Sequence, residues 1–272
     1  MRGRAAYGVP VHDVHSQDRH LVRLEWGPVG ARELTAHATS RGPVYAVVVD
    51  VLSFTTCVSV GIDRGMRVHP FAWEDRSAEA FAAERGALLA KPRRDAGPGD
   101  VSLSPASIRS VAPGGRTGGI VLPSPNGSAI SALLRDAGAT VLTASLRNAR
   151  AVGNWLSGRL GDRAAVIIIA AGEKWPDGTL RPAVEDLWGA GAVVDALAGW
   201  LGDRPGTLSP EAALAQQAYQ LVVGRLDLEL AACSSGRELL AAGYAIDLAI
   251  AAELHDSEAV PLLRDGAFVQ AR

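Results

Sequence analysis

A chain of 272 residues, 48% hydrophobic and 21% charged, can bury a core without disulfides or a structural metal. A formal net charge of −2 and an isoelectric point near 6.3 exclude the strongly basic balance of a nucleic-acid-binding protein. Two cysteines, Cys57 and Cys233, are too few for a disulfide framework, and no apolar run approaches the ~20 residues of a membrane helix. The chain therefore reads as cytoplasmic, with neither nucleic acid nor membrane as partner. The sequence leaves open whether it forms a homo-oligomer.

Residues 1–20 lack an apolar period and read as a flexible tail, with residues 21–272 as one α/β domain. His12, His15 and His20 in the tail have no acidic or cysteine neighbours that would make them a metal site. Leu21 to Trp26 alternates weakly as a strand and stops at Gly27-Pro28. Val44 to Val51 is a β-branched run, as in a strand covered on both faces. Helices follow over Thr55–Ile62 and Ser77–Gly86, with strands at Val68–Phe71 and Leu88–Ala90. Lys91 to Ala112, rich in proline and glycine, reads as a long loop, a kind of segment that is usually functional or mobile.

Further along, strands are predicted at Gly119–Leu122, Val141–Ala144 and Ala165–Ala170, and helices at Ala129–Ala137 and Asn148–Leu160. A second loop, Gly172 to Val184, leads into a helix over Glu185–Leu201. Gly189 and Gly191 inside that helix weaken it and point to close backbone packing. Helical pieces at Glu211–Tyr219, Leu226–Leu230, Ser235–Ala242 and Ile246–Ala252 precede a terminal hairpin around Asp265-Gly266. Strands alternating with helices from Val44 to Leu201 predict a three-layer α/β/α fold on a mainly parallel sheet.

In such sheets ligands bind beyond the carboxyl ends of the strands. Asp50 stands at one such end, with Ser53, Thr55 and Thr56 beyond it, suited to a hard cation or, more plainly, to capping a helix. Asn126-Gly127-Ser128 opens another helix, where backbone amides favour an anion such as phosphate, although an Asx turn explains it equally. Ser145-Leu146-Arg147-Asn148 follows a third strand, where Arg147 suits a phosphate or carboxylate and at least as well a surface salt bridge, and Ala171-Gly172-Glu173 follows a fourth. Glu185-Asp186 opens a helix, which suits its dipole and also offers oxygen ligands to Mg²⁺.

Taken in order, these residues resemble the 2-phosphosulfolactate phosphatase family, Mg²⁺-dependent phosphatases of coenzyme M biosynthesis. The resemblance covers about Val44 to Phe268. It rests on Val48-Val49-Asp50-Val51-Leu52, Asn126-Gly127-Ser128, Arg147-Asn148, Ala171-Gly172-Glu173, Glu185-Asp186 with Gly191, and Ser235-Gly236 through Leu239, Gly243, Asp247 and Val260-Pro261. It implies hydrolysis of a phosphomonoester on a small sulfonated or carboxylated acid. Asp50, Glu173 and Glu185 would be the catalytic carboxylates, and Asp50, Glu185 and Asp186 would hold Mg²⁺. Ser53, Thr55, Ser104, Asn126, Gly127, Ser128, Arg147 and Asn148 would surround the substrate.

The chain also departs from the family. Ser53-Phe54 replaces an arginine and an alanine, and serine supplies neither the charge nor the fork of arginine at a phosphate site. Lys91-Pro92-Arg93-Arg94, Leu103-Ser104-Pro105 and Ser124-Pro125 are altered as well, with Arg93 and Arg94 as candidates to supply the missing charge, their placement open. The competing expectation is an anion-binding member of the same fold that is non-catalytic or differently specialised. A dinucleotide-binding oxidoreductase is disfavoured, because no complete Gly-x-Gly-x-x-Gly follows a strand.

Overall fold

The computed structural model describes residues 15–72, 77–97, 99–112, 118–161, 163–202 and 206–272. Strands β1 (Val22–Trp26), β2 (Val44–Val49), β3 (Val68–Ala72), β4 (Leu88–Leu89), β5 (Ile120–Ser124), β6 (Thr140–Ala144) and β7 (Ala165–Ala170) come first. Between them run helices α1 (Gly27–Ala38), α2 (Phe54–Asp63), α3 (Ala78–Glu84), α4 (Pro105–Arg109), α5 (Gly127–Asp136) and α6 (Ala149–Ser157). A small hairpin, β8 (Glu173–Lys174) and β9 (Leu180–Arg181), precedes α7 (Val184–Leu201) and α8 (Pro210–Val222). Helices α9 (Leu226–Ala232), α10 (Ser234–Ala241) and α11 (Ala245–Ala251) lead to the hairpin β10 (Pro261–Arg264) and β11 (Ala267–Gln270).

The fold is α/β, built on a large, mostly parallel sheet in the order β1-β7-β2-β6-β10-β11-β3-β5-β4. The first four strands are parallel to one another, as are the last three, and the terminal hairpin joins the two blocks antiparallel. One face of the first block packs Val47, Val49, Val166 and Ile168 against α6, α7 and α8. The opposite face packs Ala46, Val48, Ile167 and Ile169 against α1, α2 and α5. β2 and β7 are buried on both faces, as their unbroken β-branched runs require.

Strand senses alternate through the hairpin, so β5 runs opposite to β2, and in a flat sheet their carboxyl ends would lie far apart. Yet the Gly127 N–H, just beyond β5, donates to Asp50 Oδ2 at 3.1 Å. The sheet therefore curls. Its seam is short on each side, with Leu262 paired to Leu142 and Phe268 to Val68. Helix α2, buried from Phe54 to Ile62, fills the inside of the curl.

Three expectations need revision. Helix α1 was not anticipated, because Gly27-Pro28 reads as a strand terminator. Proline in a first helical turn is also a start signal, and Ala31, Leu34 and Ala38 form its buried stripe. The loop over Lys91–Ala112 contains α4, and the loop over Gly172–Val184 contains β8 and β9. The terminal hairpin, expected from Asp265-Gly266, lies at the centre of the sheet. Residues 1–14 of the tail, with His12, lie outside the described residues. Beyond them Ser16 is buried, and the Arg23 guanidinium donates to the carbonyls of Ser16, Asp18 and His20.

Candidate active site

Asp50 follows the last residue of β2 and is almost completely buried. Its Oδ1 accepts the N–H of Phe54 at 3.2 Å, the first residue of α2, and its Oδ2 accepts the N–H of Gly127, the first residue of α5. The carboxylate thus lies between two helix N-termini, where an anion is favoured. Burial works the other way and pushes its pKa up to about 6, assisted by the charge of Glu185 and opposed by the two amides and Arg93. Only glycine fits at position 127, since a Cβ there would stand 2.2 Å from the Phe54 ring and 2.9 Å from Asp50 Oδ2.

Three more carboxylates gather around Asp50. Glu173, half-buried at the start of β8, accepts from Asn126 Nδ2 at 3.1 Å. Its pKa is pushed up to about 7, by burial first and then by the charge of Asp50. Glu185, buried in the first turn of α7, lies against the Cys233 thiol, whose pKa rises to about 12 through burial and the charge of Glu185. Asp186 accepts the N–H of Val51 at 2.7 Å and that of Gly172 at 2.8 Å, which ties the end of β2 to the end of β7. Its pKa lies well above the usual value, raised by burial and by Asp50 and Glu185.

A cation also reaches the cluster. Arg93, in the turn after β4, donates through one nitrogen to Ser53 Oγ at 2.7 Å and to Asp247 Oδ2 at 3.1 Å. It lies over the Tyr244 ring at 5.1 Å, and its Nε is buried without a partner. A guanidinium therefore stands over Ser53, where the family resemblance led us to expect an arginine. Asp247, fully buried, also accepts from Ser104 Oγ at 2.6 Å, so Ser104 anchors α4 to α11. Ser53, Asn126, Gly127 and Ser104 with Arg93 and Asp247 thus share this region with the four acids.

The remaining residues expected around the substrate have other partners. Thr55 Oγ1 donates to the Asp50 carbonyl at 2.8 Å and accepts the Asp50 N–H, fastening the turn into α2. Ser128 Oγ donates to the Leu122 carbonyl. Arg147 pairs with Asp63 and Glu253, both at 3.0 Å, and donates to Ser59 Oγ, so its charge is consumed in holding α2 against the segment after α11. Asn148, fully buried, accepts from the Ser145 N–H and donates to the carbonyls of Thr143 and Ala259. Arg147 and Asn148, expected beside the substrate, spend these polar groups on bracing the fold.

Among the described residues no three His, Cys, Asp or Glu side chains converge as a ligand shell. The carboxylates near Asp50 nevertheless offer oxygen donors, which suit a hard cation, and Mg²⁺ commonly takes one or two carboxylates, completing its shell with water and substrate oxygens. A cavity of about 820 Å³ opens at the other end of the strands, lined by Arg19, Arg23, Arg41, Arg163 and Trp200. Helices α1 and α7 finish beside it, so its arginines face their negative ends. None of the four carboxylates lines it. Among the described residues no helix is long and apolar enough to cross a membrane.

Sequence reading missed Arg181. It lies in a segment without periodicity, and only the β8–β9 pairing sets it opposite Glu173. A search of curated proteins returns no match. The family model described as 2-phosphosulpholactate phosphatase matches residues 31–266, spanning α1 to the terminal hairpin and every residue of the acidic cluster. The chain belongs to the 2-phosphosulpholactate phosphatase family and is a phosphoric monoester hydrolase by that membership.

Proposed function

We propose that the chain hydrolyses the phosphomonoester of a small sulfonated or carboxylated 2-hydroxy acid, 2-phosphosulfolactate or a close analogue, with Mg²⁺ held by Asp50 and Glu185. The observation that carries this reading is the cluster of Asp50, Glu173, Glu185 and Asp186 around two helix N-termini. Buried carboxylates this close repel one another, and a divalent cation relieves the repulsion. When bound, Mg²⁺ supplies the positive charge that polarises a phosphoryl oxygen.

The protein's own groups divide the remaining work. Glu173, with a pKa about 7, is partly protonated at neutral pH and hands its proton to the leaving alkoxide. A water oxygen bonds to phosphorus as the ester phosphorus–oxygen bond breaks, and the water's proton returns to the Glu173 carboxylate. Asn126 fixes its orientation. Arg93 sets positive charge beside Asp50, above Ser53. Asp186 holds the strand ends that carry the other acids, so we assign it to bracing and not to the cation.

Phosphate release from a panel of phosphomonoesters, with Mg²⁺ and with a chelator, tests the reading. Metal-dependent release is expected, and Asp50→Asn should lower kcat/KM by at least ~10³-fold, since it removes a ligand and halves the acceptors for two helix amides. Folded protein that releases no phosphate from any ester, yet binds inorganic phosphate, would make the chain an anion-binding member of the family.

A further inference from the structure

We infer that Arg181 reads a second acid group on the substrate, a carboxylate or sulfonate beside the phosphoester. It would thereby set the preference for phosphorylated acids over phosphorylated neutral alcohols. The inference rests on the phosphatase reading above.

Arg181 is the direct cross-strand partner of Glu173 in the β8–β9 hairpin. Directly opposed residues of an antiparallel pair project to the same face. The arginine therefore shares a face with the acid that reaches Asn126, and its charge acts on Glu173. Its far end donates to Ser235 Oγ at 3.3 Å, at the start of α10. Two residues earlier Cys233 caps that helix and lies against Glu185. Arg181 thus bridges from the Glu173 side of the cluster to its Glu185 side.

Its donors are largely uncommitted. The other arginine beside the acids, Arg93, is paired with Asp247. Arg181 has the Ser235 hydroxyl and a distant face of Trp175, 5.9 Å from the ring centre. Among the described residues it makes no ion pair. An ester that carries a further acid group brings extra negative charge to a site already holding four carboxylates. A guanidinium fork with free donors answers that charge, matching the oxygens of a carboxylate or sulfonate.

The test compares kcat/KM for 2-phosphosulfolactate and for glycerol 2-phosphate in the full chain, in Arg181→Gln and in Arg181→Lys. The ratio of acid ester to neutral ester should fall at least ~10-fold in Arg181→Gln, through KM for the acid ester, because a lost charge-assisted hydrogen bond weakens binding by that order. Arg181→Lys, which keeps the charge and loses the fork, should fall between. An unchanged ratio, or equal weakening of both esters, would overturn the inference and leave Arg181 a support of the hairpin. Should the unmodified protein hydrolyse neither ester, the phosphatase reading fails instead, and calorimetric binding of sulfolactate decides. Binding that weakens at least ~10-fold in Arg181→Gln sustains the acid-reading role; equal affinity, or no binding at all, removes it.

Discussion

Asp186 and Glu173 are acids of one cluster with opposite demands on a substitution. Both oxygens of Asp186 accept backbone N–H groups, from Val51 and Gly172. In Asp186→Asn one of those amides would face an NH₂ group, leaving a buried donor unpaired, so urea unfolding should show a loss of ~2–4 kcal/mol. Glu173→Gln keeps an oxygen for Asn126 and removes a proton donor. Its kcat should fall ~10²-fold or more, with little loss of stability. In the unmodified protein kcat should decline as pH rises through about 7, where Glu173 loses its proton, and this limb should vanish in the variant. The stability sign follows from the same shift. A carboxyl whose folded pKa is raised favours folding while protonated, and that contribution is lost as pH rises through the folded value. The melting temperature of Glu173→Gln relative to the unmodified protein should therefore increase as pH is raised from 4.5 to about 7 and level off above it. A difference that stays flat would mean Glu173 is not held in this environment.

At the scale of elements, α7 packs closely on both the sheet and α8. A Cβ at Gly189 would lie 2.6 Å from Val51 Cγ2 and 2.8 Å from Val49 Cγ1. At Gly191 it would lie 2.0 Å from the Ala215 carbonyl, so α7 and α8 touch backbone to backbone. Gly191→Ala must push the helices apart, costing ~3 kcal/mol in an overpacked core, which thermal unfolding would register. The sequence already signalled this contact, because two glycines inside a long helix lower its propensity without another return. The same punctuation misleads at α1, where Gly27-Pro28 signals an end although the stripe of Ala31, Leu34 and Ala38 follows it. Arg147 shows a different limit: nothing local distinguishes an arginine awaiting an anion from one enclosed by Asp63 and Glu253, which are 84 and 106 residues away.

At the scale of the molecule, the terminal hairpin sets the site. It joins two parallel blocks of opposite sense, and the curl it permits brings the end of β5 to the end of β2. Phe268, fully buried, pairs with Val68 in this seam and meets Phe54 edge-on, with ring centres 6.3 Å apart. Phe268→Ala should cost ~3–5 kcal/mol. Because Phe54 begins the helix whose first amide holds Asp50, the variant should also lose kcat/KM under conditions where it remains folded. Full activity in a folded Phe268→Ala protein would show that the seam does not position Asp50.

The sequence by itself determined the strands of the large sheet, most of the helices and the identity of the acids. Those features rest on local causes: β-branched runs, glycine and proline punctuation, and polar residues at strand ends. It also located Asp50, Asn126, Gly127, Glu173, Glu185 and Asp186 at the ends where chemistry is expected. Only the tertiary structure decided which of them share a cluster, that Asp186, Arg147 and Asn148 have structural partners, and that Arg181 stands opposite Glu173. Such facts depend on contacts between residues far apart in the chain and on how a sheet of mixed sense curls, and neither is encoded in a local pattern.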